Sequence, residues 1–247
     1  MLKLDDITLG FDGFIVLNNL SLSVDKGELR FLIGPNGAGK TTLLDLITGK
    51  VRPQAGSAMY DDDIDITKQA EHKLVRMGIG RKFQTPAVYR SLTCYEHLEV
   101  ALGFRKPVPA LFGTLSKEER EKIDAALEVV GLTQRADVTA GALSHGEQQW
   151  LEIAMLLVQD PKLLLLDEPV AGMTGQEREK TGELLHTLAG DRTIVVTEHD
   201  MDFVRRFSNK VTVLHLGRVL KEGTMAEVQA DETVMDVYLG RTDGELP

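Results

Sequence analysis

The nine residues Gly34-Pro-Asn-Gly-Ala-Gly-Lys40-Thr41-Thr42 have the types and spacing of a phosphate site. Gly34, Gly37 and Gly39 let the backbone curl into a cup, completed by Pro35, Asn36 and Ala38, whose N–H groups point inward. Lys40 sets an ammonium at the β- and γ-phosphates, the Thr41 hydroxyl is placed to hold Mg²⁺, and Thr42 continues into a helix. The N-terminus of that helix adds favourable partial charge. Such a site takes ATP or GTP, and a glycine-rich turn with a solvated lysine leaves the three glycines and the double threonine unexplained.

Four further groups could complete a reaction on the bound triphosphate. Asp167 and Glu168 end an apolar run, where open α/β sheets place their ligands. Asp167 there can hold Mg²⁺ and Glu168 can polarise an attacking water as general base; the bland alternative is a strand end whose acids meet solvent. His199, in Glu198-His-Asp200, can donate to a γ-phosphate, and reads equally as a helix-start residue with Asp200 as cap. Gln84, in Arg81-Lys-Phe-Gln-Thr-Pro86, can touch Mg²⁺ or the water, although on spacing alone a solvated glutamine fits as well. Ser144 and Gly146, in Leu143-Ser-His-Gly-Glu-Gln-Gln149, open a helix with uncovered N–H groups. That makes either a second anion-binding terminus, useful to another subunit's nucleotide, or an ordinary capping box.

Positioning these groups takes strands at residues 30–33, 163–166 and 193–197, short and apolar without alternation, as in a parallel sheet covered on both faces. A helix over 41–48 ends at Gly49. The opening residues 2–24 read as short strands with turn signals at Gly10 and Asp12-Gly13. Residues 53–56 read as a turn, 57–60 as a strand, 211–220 as a hairpin turning at Leu216-Gly217, and 234–239 as a helix stopped by Gly240. Helix starts are marked by Ser116 with Glu119, Ser144 with Glu147, Thr174 with Glu177, and Thr224 with Glu227. About 120 residues separate Thr42 from Leu163, far more than a crossover needs, so a helical subdomain is inserted. The expected division is a nucleotide core of 1–84 and 161–222, a helical subdomain of 85–160 and a helical tail of 223–247.

Composition bounds the rest. A chain of 247 residues suits one large α/β domain, and its single cysteine, Cys94, reads as a small buried or half-buried residue of a reducing compartment. The net charge of −10, with the basic pairs Arg81-Lys82, Arg105-Lys106 and Arg205-Arg206 scattered as solvated faces, argues against nucleic acid and direct adsorption to anionic lipid. No run approaches the roughly 18 apolar residues of a bilayer span, and the opening Met1-Leu-Lys-Leu-Asp-Asp6 carries no secretory pattern, so a soluble protein is expected. A membrane role would come through a protein partner.

The ordered set of phosphate loop, Gln84, Leu143-Ser144-x-Gly146, Asp167-Glu168 and His199 resembles an ABC-type ATPase over essentially the whole chain. The resemblance implies a RecA-like α/β core with N-terminal antiparallel strands and an inserted helical subdomain. It also implies ATP and Mg²⁺ as cofactors and a head-to-tail pair in which Ser144 and Gly146 close on the partner's ATP. Phe11 would then stack on adenine; it also reads as a surface-strand aromatic, and Phe14 competes for the role.

Residues 143–154, 168–173, 198–201 and 237–241 are similar to the ATPases of branched-chain amino acid importers, and nearest to the ATP-binding subunits of bacterial urea importers. That implies an ATPase on the cytoplasmic face of the bacterial inner membrane, powering import, most nearly of urea, with a branched-chain or other amide or amino acid solute as the alternative. Two permease subunits, a second cassette ATPase or a copy of this chain, and indirectly an extracytoplasmic binding protein would be its partners. His145, Glu147 and Thr174 depart from the broader pattern. A non-transport ABC ATPase acting on ribosomes or nucleic acid would show coiled-coil heptads, two cassettes or a basic face, none of which is present.

Overall fold

The computed structural model describes residues 1–84, 87–103 and 115–238. The chain opens with β1 (Leu2–Phe11) and β2 (Phe14–Val24), a hairpin closed by Asp12-Gly13, both at positive φ as a two-residue hairpin turn requires. These strands are longer than the short ones expected. Gly10 is not in a turn but inside β1 opposite Ile15, where a β-carbon would lie 2.5 Å from the Phe14 carbonyl oxygen.

β3 (Leu29–Ile33) leads through the phosphate loop into α1 (Lys40–Ile47), and β4 (Ala55–Tyr60) and β5 (Ile64–Asp65) follow. β4 starts at Ala55, inside the turn expected over 53–56, because pairing with β1 outweighs the local turn signal of Gly56. The four-stranded sheet so formed has the order β2-β1-β4-β5 and is antiparallel.

α2 (Glu71–Arg76) and β6 (Ile79–Lys82), neither anticipated, precede α3 (Cys94–Gly103), α4 (Lys117–Val129) and α5 (His145–Leu157). The core resumes with β7 (Leu163–Asp167), α6 (Gly175–Leu188), β8 (Thr193–Thr197), α7 (Met201–Phe207), and the hairpin β9 (Lys210–His215) with β10 (Arg218–Gly223). α8 (Met225–Gln229) and α9 (Glu232–Tyr238) close the described chain, and the stop expected at Gly240 lies outside the described residues, as does the pair Arg105-Lys106. The four S/T-x-x-E starts read from the sequence form reciprocal capping boxes, at α4, α5, α6 and α8, and Thr93 with Glu96 makes a fifth such pair at the start of α3.

The second sheet has the order β10-β9-β3-β8-β7-β6, parallel except for the β9–β10 hairpin. β3, β7 and β8 are buried at every residue, which explains their missing alternation: both faces are covered. On β7, Leu165 joins Val195, Leu43, Ile7 and Leu20 in a core shared with α1 and the antiparallel sheet. Its neighbours Leu164 and Leu166 join Phe31, Leu151, Leu185 and Phe203 in a core shared with the helices. The one charged residue inside β3, Arg30, is fully buried and donates to Glu28, Glu222, Thr212 and the Ser23 carbonyl, binding β3 to β2, β9 and β10. Cys94 is buried at the start of α3. Among the described residues no helix is long and apolar enough to cross a membrane.

Candidate functional site

Because β3, β8, β7 and β6 are parallel neighbours, the residues that follow them emerge at one edge of the sheet. The phosphate loop follows β3, Asp167 ends β7 with Glu168 next, His199 lies two residues past β8, and Gln84 two residues past β6. Three of these strands were legible as apolar runs. β6, Ile-Gly-Arg-Lys, was not, because two of its four residues are charged.

The loop is anchored from behind. Gly217 N donates to the Ala38 carbonyl (3.1 Å) and Asn18 N to the Gly217 carbonyl (2.9 Å), so the β9–β10 turn is wedged between the loop and β2. Gly34 is obligatory there, since a β-carbon would stand 2.2 Å from the Leu214 carbonyl oxygen. Lys40 Nζ donates to the Gly34 and Pro35 carbonyls (2.6 and 3.2 Å), so the ammonium already lies in the curl of the loop. Burial pulls the Lys40 pKa below the usual lysine value, and the charges of Glu168 and Asp167 oppose that. Those two carboxylates therefore act on the same ammonium that a triphosphate would meet.

Asp167 is held at both oxygens, accepting from Thr197 Oγ1 (2.6 Å) and from Arg81 (3.2 Å), whose other arm binds Asp45 of α1. Arg81 is a site residue that the sequence reading put on a solvated face, as is Lys82; their side chains are 5% and 0% exposed. A basic pair carries no local sign of which strand it sits on, and only the pairing of β6 with β7 buries it.

Glu168 sits in the left-handed region at φ 46°, a strained conformation for a non-glycine residue, with its N–H held by the Thr197 carbonyl (3.0 Å). Gln84 Nε2 donates to Glu168 Oε2 (2.6 Å), and His199 Nδ1 lies 3.6 Å from Oε1. Asp200 caps α7 through the N–H groups of Asp202 and Phe203, as the helix-start alternative for His199 expects. Glu198, missed by sequence reasoning, is buried and accepts from the N–H groups of Val170 (3.2 Å) and His199 (3.2 Å), holding the turns after β7 and β8 together. Burial raises its pKa to about 7.

The donor set fits Mg²⁺. The Thr41 hydroxyl, the Asp167 carboxylate and the Gln84 amide oxygen are hard oxygen donors, and Mg²⁺ commonly takes one or two carboxylates with phosphates and water. Among the described residues no three His, Cys, Asp or Glu side chains converge as a metal cage, so the nucleotide's own phosphates would have to complete the shell.

Ser144 and Gly146 are not brought to the phosphate loop. They lie at the start of α5, which packs on α3, α4 and β6. Ser144 caps α5 through Glu147 N (3.1 Å) and donates to Glu177 Oε1 (3.0 Å), and His145 Nε2 lies 3.0 Å from the Ala171 carbonyl oxygen. Phe11 and Phe14 face each other across the β1–β2 turn, both exposed, and the geometry leaves both open.

A family model described as ABC transporter matches residues 17–171, and one described as branched-chain amino acid ATP-binding cassette transporter matches residues 218–244. The chain is 33% identical over 250 residues to the high-affinity branched-chain amino acid transport ATP-binding protein BraF of Pseudomonas aeruginosa, covering 97% of this chain and 98% of that protein. The same figures hold for the corresponding protein LivG of Escherichia coli K12. Among solved structures it is similar to the ADP conformation of MJ1267, an ATP-binding cassette of an ABC transporter, with TM-score 0.85, 32% identity and coverage of 97% of this chain and 98% of that one.

This chain therefore belongs to the ABC transporter family, with the ABC ATPase fold expected from its motifs. Within it, the chain is an ATP-binding subunit of the LivG/BraF type, an ATPase by class.

Proposed function

We propose that this chain hydrolyses ATP to drive import of branched-chain amino acids, as a peripheral subunit on the cytoplasmic face of a bacterial inner membrane. The observation that carries the reading is the convergence of Lys40, Asp167, Glu168, Gln84 and His199 at one sheet edge, in a chain whose relatives are named for branched-chain amino acid transport. The narrower urea reading has no such support from those relatives, which favour the branched-chain alternative.

In this reading residues 34–42 wrap the phosphates, Lys40 leaves the Gly34 and Pro35 carbonyls for the β- and γ-phosphates, and Phe11 or Phe14 covers the adenine. Thr41, Asp167 and Gln84 would hold Mg²⁺, which when bound neutralises phosphate charge. Glu168 takes a proton from the attacking water, and His199 donates to the γ-phosphate. Ser144 and Gly146 close on the nucleotide of a second cassette, a copy of this chain or a related subunit.

The permease pair would dock at a groove of 680 Å³ between α2, β6, α3 and α5, lined by Phe83, Tyr89, Val100 and Met155. Phe83, Tyr89 and Val100 are exposed apolar side chains, and Phe83 adjoins Gln84, so a permease helix seated there would feel the nucleotide site.

The test is uptake by vesicles holding the chain with its permeases and binding protein, offered labelled leucine or urea. ATP-dependent leucine uptake is expected. Urea uptake alone would restore the narrower reading, and hydrolysis with no uptake of either solute would refute an importer of this class.

A further inference from the structure

Glu152, on α5 eight residues past Ser144, meets described residues on both sides of Gln84, by one hydrogen bond and one charge contact. Its Oε1 accepts from the Ala87 N–H at 2.6 Å, and its Oε2 lies 3.4 Å from Lys82 Nζ. Lys82 is the last residue of β6, with its side chain fully buried, and the Glu152 side chain is 11% exposed. Gln84 lies between the two contacts, with its amide on Glu168.

A buried ion pair is a poor source of stability, because desolvating both charges offsets their attraction, and apolar residues of similar volume often serve as well or better. This pair also joins two pieces of chain that the proposed function puts to use: Gln84, whose amide is on Glu168, and the helix that carries Ser144 and Gly146 at its start. About two helical turns separate Glu152 from Ser144, with no glycine or proline after Gly146 to absorb a displacement.

We infer that Glu152 is a positioning residue, a clasp between the Gln84 segment and α5, so that transfer of Gln84 from Glu168 to an incoming nucleotide carries Ser144 and Gly146 with it. The inference rests on the nucleotide reading above and adds a path from one half-site to the other. The path runs from Glu168 through Gln84 and Lys82 to Glu152 and the axis of α5.

Trp150, the one tryptophan of the chain, reports on this movement. It lies on α5 two residues before Glu152, its Nε1 donates to Thr181 Oγ1 (2.9 Å), and Lys180 Nζ sits 3.9 Å from its ring centroid. Both partners belong to α6, so displacement of α5 against α6 alters the surroundings of the indole.

The experiment titrates the full-length chain with Mg²⁺ and a non-hydrolysable ATP analogue, following bound nucleotide by equilibrium dialysis and Trp150 by its emission. The variants are Glu152→Gln, which keeps an acceptor for Ala87 but removes the charge facing Lys82, and the double variant Lys82→Met/Glu152→Leu, which replaces the pair with apolar groups. In the wild-type chain the emission change should saturate together with binding. Both variants should bind within about threefold of wild type while losing most of the emission change, and kcat should fall about tenfold at unchanged KM. A wild-type emission that ignores bound nucleotide, or variants whose response and kcat equal wild type, would overturn the clasp. Failure of the wild-type chain to bind nucleotide would instead remove the nucleotide reading, and the clasp with it.

Discussion

Ser144 donates to Glu177 Oε1 at 3.0 Å, so the start of α5, where an anion would bind, already faces a carboxylate of its own chain. The contact interlocks two capping boxes: Glu147 serves Ser144 on α5, and Glu177 serves Thr174 on α6. The Thr174 N–H, then the hydroxyls of Thr174 and Ser144, hold the Glu177 pKa below the usual glutamate value, so it is an anion at neutral pH. A β-carbon on Gly146 would meet that carboxyl group at 2.4 Å, which shows how closely it covers the helix start.

Replacing that charge should ease pairing with a nucleotide-loaded partner. Glu177→Gln keeps the reciprocal cap, since glutamine also serves at this position, and should cost less than about 1 kcal/mol in stability. ATP-dependent dimerisation should strengthen several-fold. Sedimentation velocity with and without ATP measures it, and equal or weaker dimerisation would show that Glu177 does not compete with phosphate.

Glu168→Gln should leave ATP binding intact and slow hydrolysis by roughly 10²- to 10⁴-fold, the usual worth of a general base. The amide still fits beside Gln84 and His199 but cannot take a proton. Single-turnover phosphate release is the measurement, and near-wild-type turnover would exclude Glu168 from the role.

Lys40→Ala should act on binding first. With the ammonium gone, the loop keeps its N–H groups but loses its one cation, so affinity should fall more for ATP than for AMP, which lacks the β- and γ-phosphates. Calorimetric titration with both nucleotides separates this from a general loss of fold.

Arg81→Met should destabilise the fold by about 3 kcal/mol, because it strips a buried guanidinium from Asp45 and Asp167 and leaves partly buried carboxylates short of a partner. Urea unfolding reads this directly. A change below about 0.5 kcal/mol, the scale of an ordinary surface substitution, would return Arg81 to the solvated role its sequence context suggests.

Glu198 gives a pH dependence. Burial lifts its folded pKa to about 7, above the ordinary glutamate value of about 4.5, so the native state holds a proton that the unfolded chain has released. This contribution is complete below about pH 4.5, and stability from this group falls as pH rises toward about 7, by roughly 3 kcal/mol in all. Glu198→Gln, which cannot titrate, should therefore lose less stability than wild type between pH 5 and 8. Thermal melts across that range give the difference, and parallel curves would show that Glu198 does not titrate there.

The local signals were reliable where a short segment determines its own physics. The phosphate loop, the four capping boxes and the Leu216-Gly217 turn depend on groups within a few residues of one another, and each is found where the sequence put it. Fully apolar strands were equally readable, since covering both faces leaves a continuous hydrophobic run. β6 broke that rule: its Arg81 and Lys82 look solvated until Asp45, Asp167 and Glu152, from three other elements, close around them.

The sequence by itself therefore determined the glycine-rich loop, the helix caps and the buried strands, because residue type and spacing along one chain fix each of them. Only the tertiary structure decided how distant groups are joined: Gln84 to Glu168, Arg81 to Asp167, Ser144 to Glu177, and Glu152 to Lys82 and Ala87. These are contacts between residues 33 to 86 positions apart. Their energy comes from charges and dipoles meeting away from water, and no local pattern encodes which distant partner will be there.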